Sequence, residues 1–150
     1  MERTPKNVVL DASAAAKWFL QEENTQEAVR LRDAHIDGTI SLAAPDLLIY
    51  EVANALNFHP KATLSDLNAN LRELFELDLD LVAPSTEYSS QILESARKFS
   101  VTVYDASYVA LSEMMATSLV TADNKLYEKI SKAGRAYLLS ELEHTWILPK

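Results

Sequence analysis

Asp11, Glu51, Asp105 and Asp123 are the residues of this chain whose type and placement can do chemistry. Asp11 follows the short run Asn7 to Leu10 and opens an Ala-rich segment. Asp123 stands in the same relation to Ser118 to Thr121, and Asp105 to Val101 to Tyr104. Each of these three aspartates, taken alone, also reads as a helix N-cap, where Asp is a preferred residue. No Glu or Gln stands three residues after Asp105 (Tyr108 is there), so no capping box supports that reading. Glu51 is different. Its helix carries Asp46, Tyr50, Asn54 and Asn57 on one polar face at about 100° per residue, and Glu51 lies off it. Its neighbours at helical spacing are Leu47, Leu48, Ala55 and Phe58, so it points toward the apolar side. An unpaired carboxylate there costs roughly several kcal/mol or takes up a proton. An arginine, a lysine or a bound cation must compensate it, and that segment is poor in basic residues.

Four acids in one cluster repel and raise one another's pKa. A hard divalent cation with oxygen ligands removes the conflict, and magnesium takes only one or two protein carboxylates while keeping several waters. The remaining acids are then free to hold a second ion or to orient and deprotonate an attacking water. Such a set fits in-line hydrolysis of a phosphodiester. Ser13 and Thr121 each lie two residues from one of these acids. They read either as capping and turn residues or as hydrogen-bond partners of a water held by the ion. Tyr50, Tyr104 and Tyr108 flank the acids and read as core or rim residues rather than base-stacking platforms. His35, His59 and His144 share no ligand spacing, and no GxGxxG, Walker A or GxSxG motif occurs.

The elements that must position these side chains alternate in type. Strands are expected at Asn7 to Leu10, Ile40 to Ala43, Leu79 to Ala83 and Ser118 to Thr121, with Val101 to Tyr104 strand-like and a last strand at Tyr137 to Leu139. Helices are expected at Ala12 to Leu20, Thr25 to Ile36, Asp46 to Phe58, Leu64 to Leu77, Ser85 to Phe99, Asp105 to Ala116 and Asp123 to Ala133. In the Ser85 to Phe99 helix, Ile92, Leu93, Ala96 and Phe99 face inward. The only glycines, Gly38 and Gly134, follow helical patterns as C-terminal caps do. This alternation implies parallel pairing, right-handed crossovers and an α/β layer fold. In such sheets ligands bind beyond the carboxyl ends of the strands, where Asp11 and Asp123 are expected.

Bulk composition agrees with one globular domain over residues 1–150, with residues 1–6 as a loose N-terminal extension. The chain is 48% hydrophobic and 24% charged over its 150 residues. It has no cysteine, which excludes disulfides, zinc–thiolate sites and thiol nucleophiles. No apolar run approaches the roughly 20 residues that span a bilayer, and the N-terminus lacks a signal-peptide core. A cytoplasmic protein with no membrane partner is expected. The net charge of −8 argues against gripping nucleic acid by charge neutralisation alone.

VVLDASAAAKWFL, PDLLIYEVANAL, VYDASYVALSE and LVTADNKL, in that order, resemble the PIN-domain ribonucleases, and among them the VapC-type toxins of toxin–antitoxin pairs. The likeness runs through essentially the whole chain after the first six residues. It implies an α/β/α sandwich around a central, mainly parallel sheet. It implies magnesium- or manganese-dependent endoribonuclease activity, with Asp11, Glu51, Asp105 and Asp123 as the acidic quartet and Asp11 and Asp105 as the most direct metal ligands. Ser13 and Thr121 match auxiliary hydroxyl positions, and Asn124 sits where some members supply a further polar side chain. The resemblance also implies a homodimer silenced by a small antitoxin whose tail lies in the groove and presents a basic residue to the acids. Two other readings are open to the same residues. One is a catalytically silent PIN-like module that binds a protein partner. The other is a metal-dependent phosphohydrolase acting on a small molecule, although no Gly-rich phosphate loop is present.

Overall fold

A computed structural model describes residues 6–144. Residues 1–5 of the expected extension lie outside these, while Lys6 already belongs to the first strand. Five strands, β1 (Lys6–Leu10), β2 (Ile40–Pro45), β3 (Asp80–Val82), β4 (Ser118–Thr121) and β5 (Ala136–Leu138), form one sheet in the order β3-β2-β1-β4-β5. Every pairing between them is parallel. The sheet is covered on both faces. Val8, Val9 and Leu10 point alternately to opposite sides, and all three are fully buried. The expected α/β sheet is therefore present.

Among the described residues, seven α-helices connect and cover the strands: α1 (Ala12–Ala15), α2 (Thr25–Ile36), α3 (Leu47–Asn57), α4 (Leu64–Glu76), α5 (Thr86–Phe99), α6 (Val103–Met114) and α7 (Asn124–Ile130). The expected helix from Ala12 to Leu20 is instead one α-turn followed by a 3₁₀ turn at Ala16–Trp18. Trp18 fastens that turn to α2, its indole N–H donating to the Ala28 carbonyl at 2.7 Å. His35 is structural. Its Nδ1 accepts from the Leu42 N–H at 3.0 Å, and its Nε2 therefore donates to the Leu77 carbonyl at 2.7 Å. One side chain thus joins α2, β2 and the end of α4.

Helix α6 runs through the middle of the molecule. Seven consecutive residues, Ala106 to Ser112, are buried, and its neighbours are β1, β2, β4 and α5. A helix buried all round needs small residues to approach its neighbours; here Ala106, Ser107, Ala110 and Ser112 supply them. The serine hydroxyls donate to carbonyls of their own helix, Ser107 to Tyr104 at 2.6 Å and Ser112 to Val109 at 2.7 Å. Tyr88 on α5 donates to the Ser107 carbonyl at 2.5 Å.

The strand-like reading of Val101 to Tyr104 is wrong. Ser100 turns the chain in the left-handed region (φ 56°) at the end of α5, and the Val101 N–H closes onto the Ala96 carbonyl. Thr102 then caps α6, its hydroxyl accepting from the Asp105 N–H at 3.1 Å. A local cap overrides the β-branched bias of Val-Thr-Val. Exposure corrects other expectations. Leu93 is 58% exposed rather than inward, and Phe58, at 76%, does not share an apolar environment with Glu51. Leu64 and Phe75 of α4 are also exposed.

Helices α2 and α6 both end with a left-handed residue, but only α2 uses glycine there. Gly38 has φ 83°; Ala116 has φ 51°. The Thr117 N–H bonds back to the Ser112 carbonyl at 2.9 Å, so Ala116 holds the position that glycine usually fills. A Cβ in this conformation costs about 1–2 kcal/mol, offset in part by the extra unfolded-state entropy of glycine. Ala116→Gly is expected to stabilise the fold by about 0.5–1 kcal/mol, read as a higher midpoint of thermal unfolding. A lower midpoint contradicts this account of the turn.

Candidate active site

The chain runs from β1 to β2 to β3 toward one edge, then returns to place β4 and β5 on the other side of β1. The direction of winding reverses between β1 and β4, which is where open parallel sheets bind ligands. Asp11 leaves β1 at this point, and Thr121, Ala122 and Asp123 leave β4.

Asp11 is 5% exposed and densely held. Its Oδ1 accepts from the Ser13 hydroxyl at 2.6 Å and the Ala14 N–H at 3.1 Å, which makes it the cap of α1. Its Oδ2 accepts from the Thr121 hydroxyl at 2.5 Å, across the β1–β4 junction. Thr121 Oγ1 in turn accepts from the Asp123 N–H at 3.0 Å, and Ser13 Oγ accepts from the Ala122 N–H at 3.0 Å. The two hydroxyls thus tie both aspartate-bearing turns into one network. Asp123 caps α7 through the N–H groups of Lys125 and Leu126, at 3.0 and 3.1 Å, and its residue is exposed. Asn124, the first residue of α7, is exposed beside it.

Asp11 and Asp123 are therefore helix caps, as the plainer reading of the sequence holds. Asp105 is not; it stands in the first turn of α6 behind the Thr102 cap. Glu51 lies in the interior of α3 and is half-buried. The partner found for it is a neutral phenol rather than an arginine or lysine: Tyr108 of α6 donates to Glu51 Oε1 at 2.6 Å. Tyr108 is 2% exposed. From its sequence position alone it reads as a core or rim residue. Its position three residues after Asp105, on the same side of the helix, is the signal that ties it to the acids.

The four acids form an electrostatic chain. Burial raises the pKa of the Asp11 carboxyl to about 6, with the Asp123 charge adding to the rise. The hydroxyls of Ser13 and Thr121 and the Ala14 N–H oppose it by bonding the charged form. Glu51 is pushed up by burial and by Asp105, and drawn down by the Tyr108 hydrogen bond. Asp105 is pushed up by burial and by Asp123, and drawn down by the Thr102 bond and the Lys129 charge. Each acid is coupled to another across elements distant in sequence.

The donor set is wholly oxygen: carboxylates and hydroxyls. That chemistry suits a hard divalent cation and not a soft one. Among the described residues, however, no three Asp, Glu or His side chains converge into a cage for one ion. The arrangement fits an ion that takes one or two carboxylates and keeps waters on its other positions. A surface groove of about 660 Å³ lies elsewhere, lined by Phe19, Arg32, His35, Ile36, Glu73 and their neighbours, and holds none of the four acids.

The raised pKa of Asp11 sets the sign of a pH effect. A buried acid with a folded pKa near 6 and an unfolded value near 3.8 binds more protons when folded between those values. Stability of the metal-free protein should therefore fall as pH rises from about 4 to about 6 and stay low above it, by roughly 3 kcal/mol at most from Asp11. Urea melts from pH 4 to 8 without metal read this slope, and Asp11→Asn should flatten it. A wild-type profile with no decline over that range contradicts the burial of an uncompensated carboxylate here.

The model of the family described as PIN domain matches residues 8–132. Ribonuclease VapC3 of Pyrobaculum aerophilum is 37% identical over 126 residues, which cover 81% of this chain and 93% of that protein. The crystal structure of PAE2754 from Pyrobaculum aerophilum matches with a TM-score of 0.67, covering 91% of this chain and 86% of that one. At 23% identity this second likeness bears on the fold alone. The match over most of the chain and the close relative together establish that this chain belongs to the PIN domain family.

Proposed function

We propose that this chain is a metal-dependent endoribonuclease of the VapC type, hydrolysing RNA phosphodiester bonds at Asp11, Glu51, Asp105 and Asp123. The observation that carries this reading is the coupled acid chain at the reversal point of the sheet, in a chain 37% identical to Ribonuclease VapC3.

Magnesium or manganese, when bound, would supply a positive charge that neutralises the acids and the scissile phosphate and polarises the P–O bond. Asp11 and Asp105 are the residues assigned to hold it, with Glu51 and Asp123 acting directly or through water. The chain's own residues do the rest. Ser13 and Thr121 fix both oxygens of Asp11, so its carboxylate keeps one orientation. Asp123 is exposed at the rim and stands where a water nucleophile can lose a proton to it. The attacking oxygen of water bonds to phosphorus as the P–O bond to the leaving nucleotide breaks. Asn124 adds a polar group at the same rim.

The substrate is RNA, the natural inhibitor a small antitoxin protein, and the active form a homodimer in the cytoplasm, with residues 1–150 acting as one domain. No helix among the described residues is long and apolar enough to cross a membrane. A basic residue from an inhibitor's tail would meet the negative potential of the four acids and oppose cation binding.

The test is cleavage of defined single-stranded RNAs by the purified protein. Cleavage is expected with magnesium or manganese and none with EDTA. Asp11→Asn and Asp105→Asn should each lower the rate at least 100-fold, a loss of about 2.7 kcal/mol in transition-state stabilisation, with the circular dichroism spectrum unchanged. Full activity in both variants would falsify the assignment.

A further inference from the structure

Helices α3 and α6 reach the site from different parts of the fold, and what joins them there is the phenol of Tyr108. Its hydroxyl donates to Glu51 Oε1 at 2.6 Å. Along its own helix Tyr108 stands one turn beyond Asp105. A single buried hydroxyl therefore touches the Glu51 carboxylate from the helix that carries Asp105. Its one proton is committed to Glu51.

The ring itself is locked. Tyr108 is 2% exposed, and its helix is buried over seven consecutive residues. A phenol has few torsions, so an immobile ring fixes its oxygen. Glu51, by contrast, has three flexible torsions and is only half-buried. Left alone, it would rotate away from Asp105, whose charge repels it. The hydrogen bond from Tyr108 opposes that rotation.

We infer that Tyr108 is a positioning residue for the acidic site: its buried hydroxyl holds the Glu51 carboxylate in register with Asp105. This rests on the nuclease reading above but makes a separate claim. Groups that orient a ligand from behind typically change metal affinity or activity by about 10- to 100-fold when removed. Tyr88 provides an internal comparison. It is also a buried tyrosine at α6, 2% exposed, but its hydroxyl donates to the Ser107 carbonyl and meets no acid of the site.

The experiment compares Tyr108→Phe, Tyr88→Phe, Glu51→Gln and the Tyr108→Phe/Glu51→Gln double variant. Manganese affinity is measured by calorimetric titration of each purified protein, and single-turnover RNA cleavage is followed alongside. Tyr108→Phe keeps the ring and removes only the hydroxyl. It is expected to weaken manganese binding about 10-fold and to slow cleavage at saturating RNA without raising KM. Tyr88→Phe is expected to lower thermal stability while leaving manganese affinity within about two-fold of the parent. In the Glu51→Gln background, Tyr108→Phe should add less than about a two-fold further loss of affinity, since the carboxylate it positions is gone. Unchanged manganese affinity in Tyr108→Phe, or a loss equally large in the Glu51→Gln background, overturns the inference. Absence of RNA cleavage by the parent protein would overturn the nuclease reading instead, while the manganese titrations would still decide the role of Tyr108.

Discussion

The constraint on which the site depends is the burial of one carboxylate at the seam between β1 and β4. Asp11 is almost wholly removed from water, yet three of its contacts favour the charged form: two hydroxyls and the backbone N–H of the helix it caps. Those contacts do not fully offset desolvation, because its pKa still rises. The fold thus holds a carboxylate in a place where a further positive charge is the natural complement. The β1–β4 pairing, the choice of Ser13 and Thr121, and the caps of α1 and α7 all follow from holding that group still.

Much of this was legible in the sequence, for identifiable reasons. A polar residue within two positions of the end of a short apolar run, followed by a helical pattern, marks the carboxyl edge of a parallel strand; Asp11 and Asp123 are where that rule puts them. Glu51 stood out because a carboxylate off the polar face of a helix needs compensation. The compensating group was not legible. It comes from Tyr108, 57 residues away, and a tyrosine in an apolar helix looks the same whether its hydroxyl meets a carboxylate or a backbone carbonyl, as Tyr88 shows. The cap of α6 was misread because Val101 and Val103 favour strands, while the deciding contact is one threonine hydroxyl. Periodicity also predicts a face without saying what covers it, and so Leu93, expected inside, is exposed.

Charge distribution reconciles an acidic chain with an anionic substrate. The net charge of −8 is an average over 150 residues. Locally, Lys129 reaches across to the Ser100 carbonyl at 3.3 Å, and its charge acts on Asp105. Lys125 follows Asp123 by two residues, and the last turn of α5 carries Arg97 and Lys98. A cation of α7 therefore acts on Asp105, where the sequence shows no continuous basic run. Short-range fields of this kind matter more than net charge within a Debye length of about 8–10 Å.

The hydrogen bond from Thr121 to Asp11 spans 110 residues of chain. Asp11 emerges from a ribosome early, but the strand that completes its surroundings is the fourth of five. At about 5–20 residues per second, synthesis takes several seconds to pass from one to the other. Throughout that interval Asp11 lacks the Thr121 hydroxyl that completes its seam. The surroundings of Asp11 are thereby completed only late in synthesis, when most of the chain already exists.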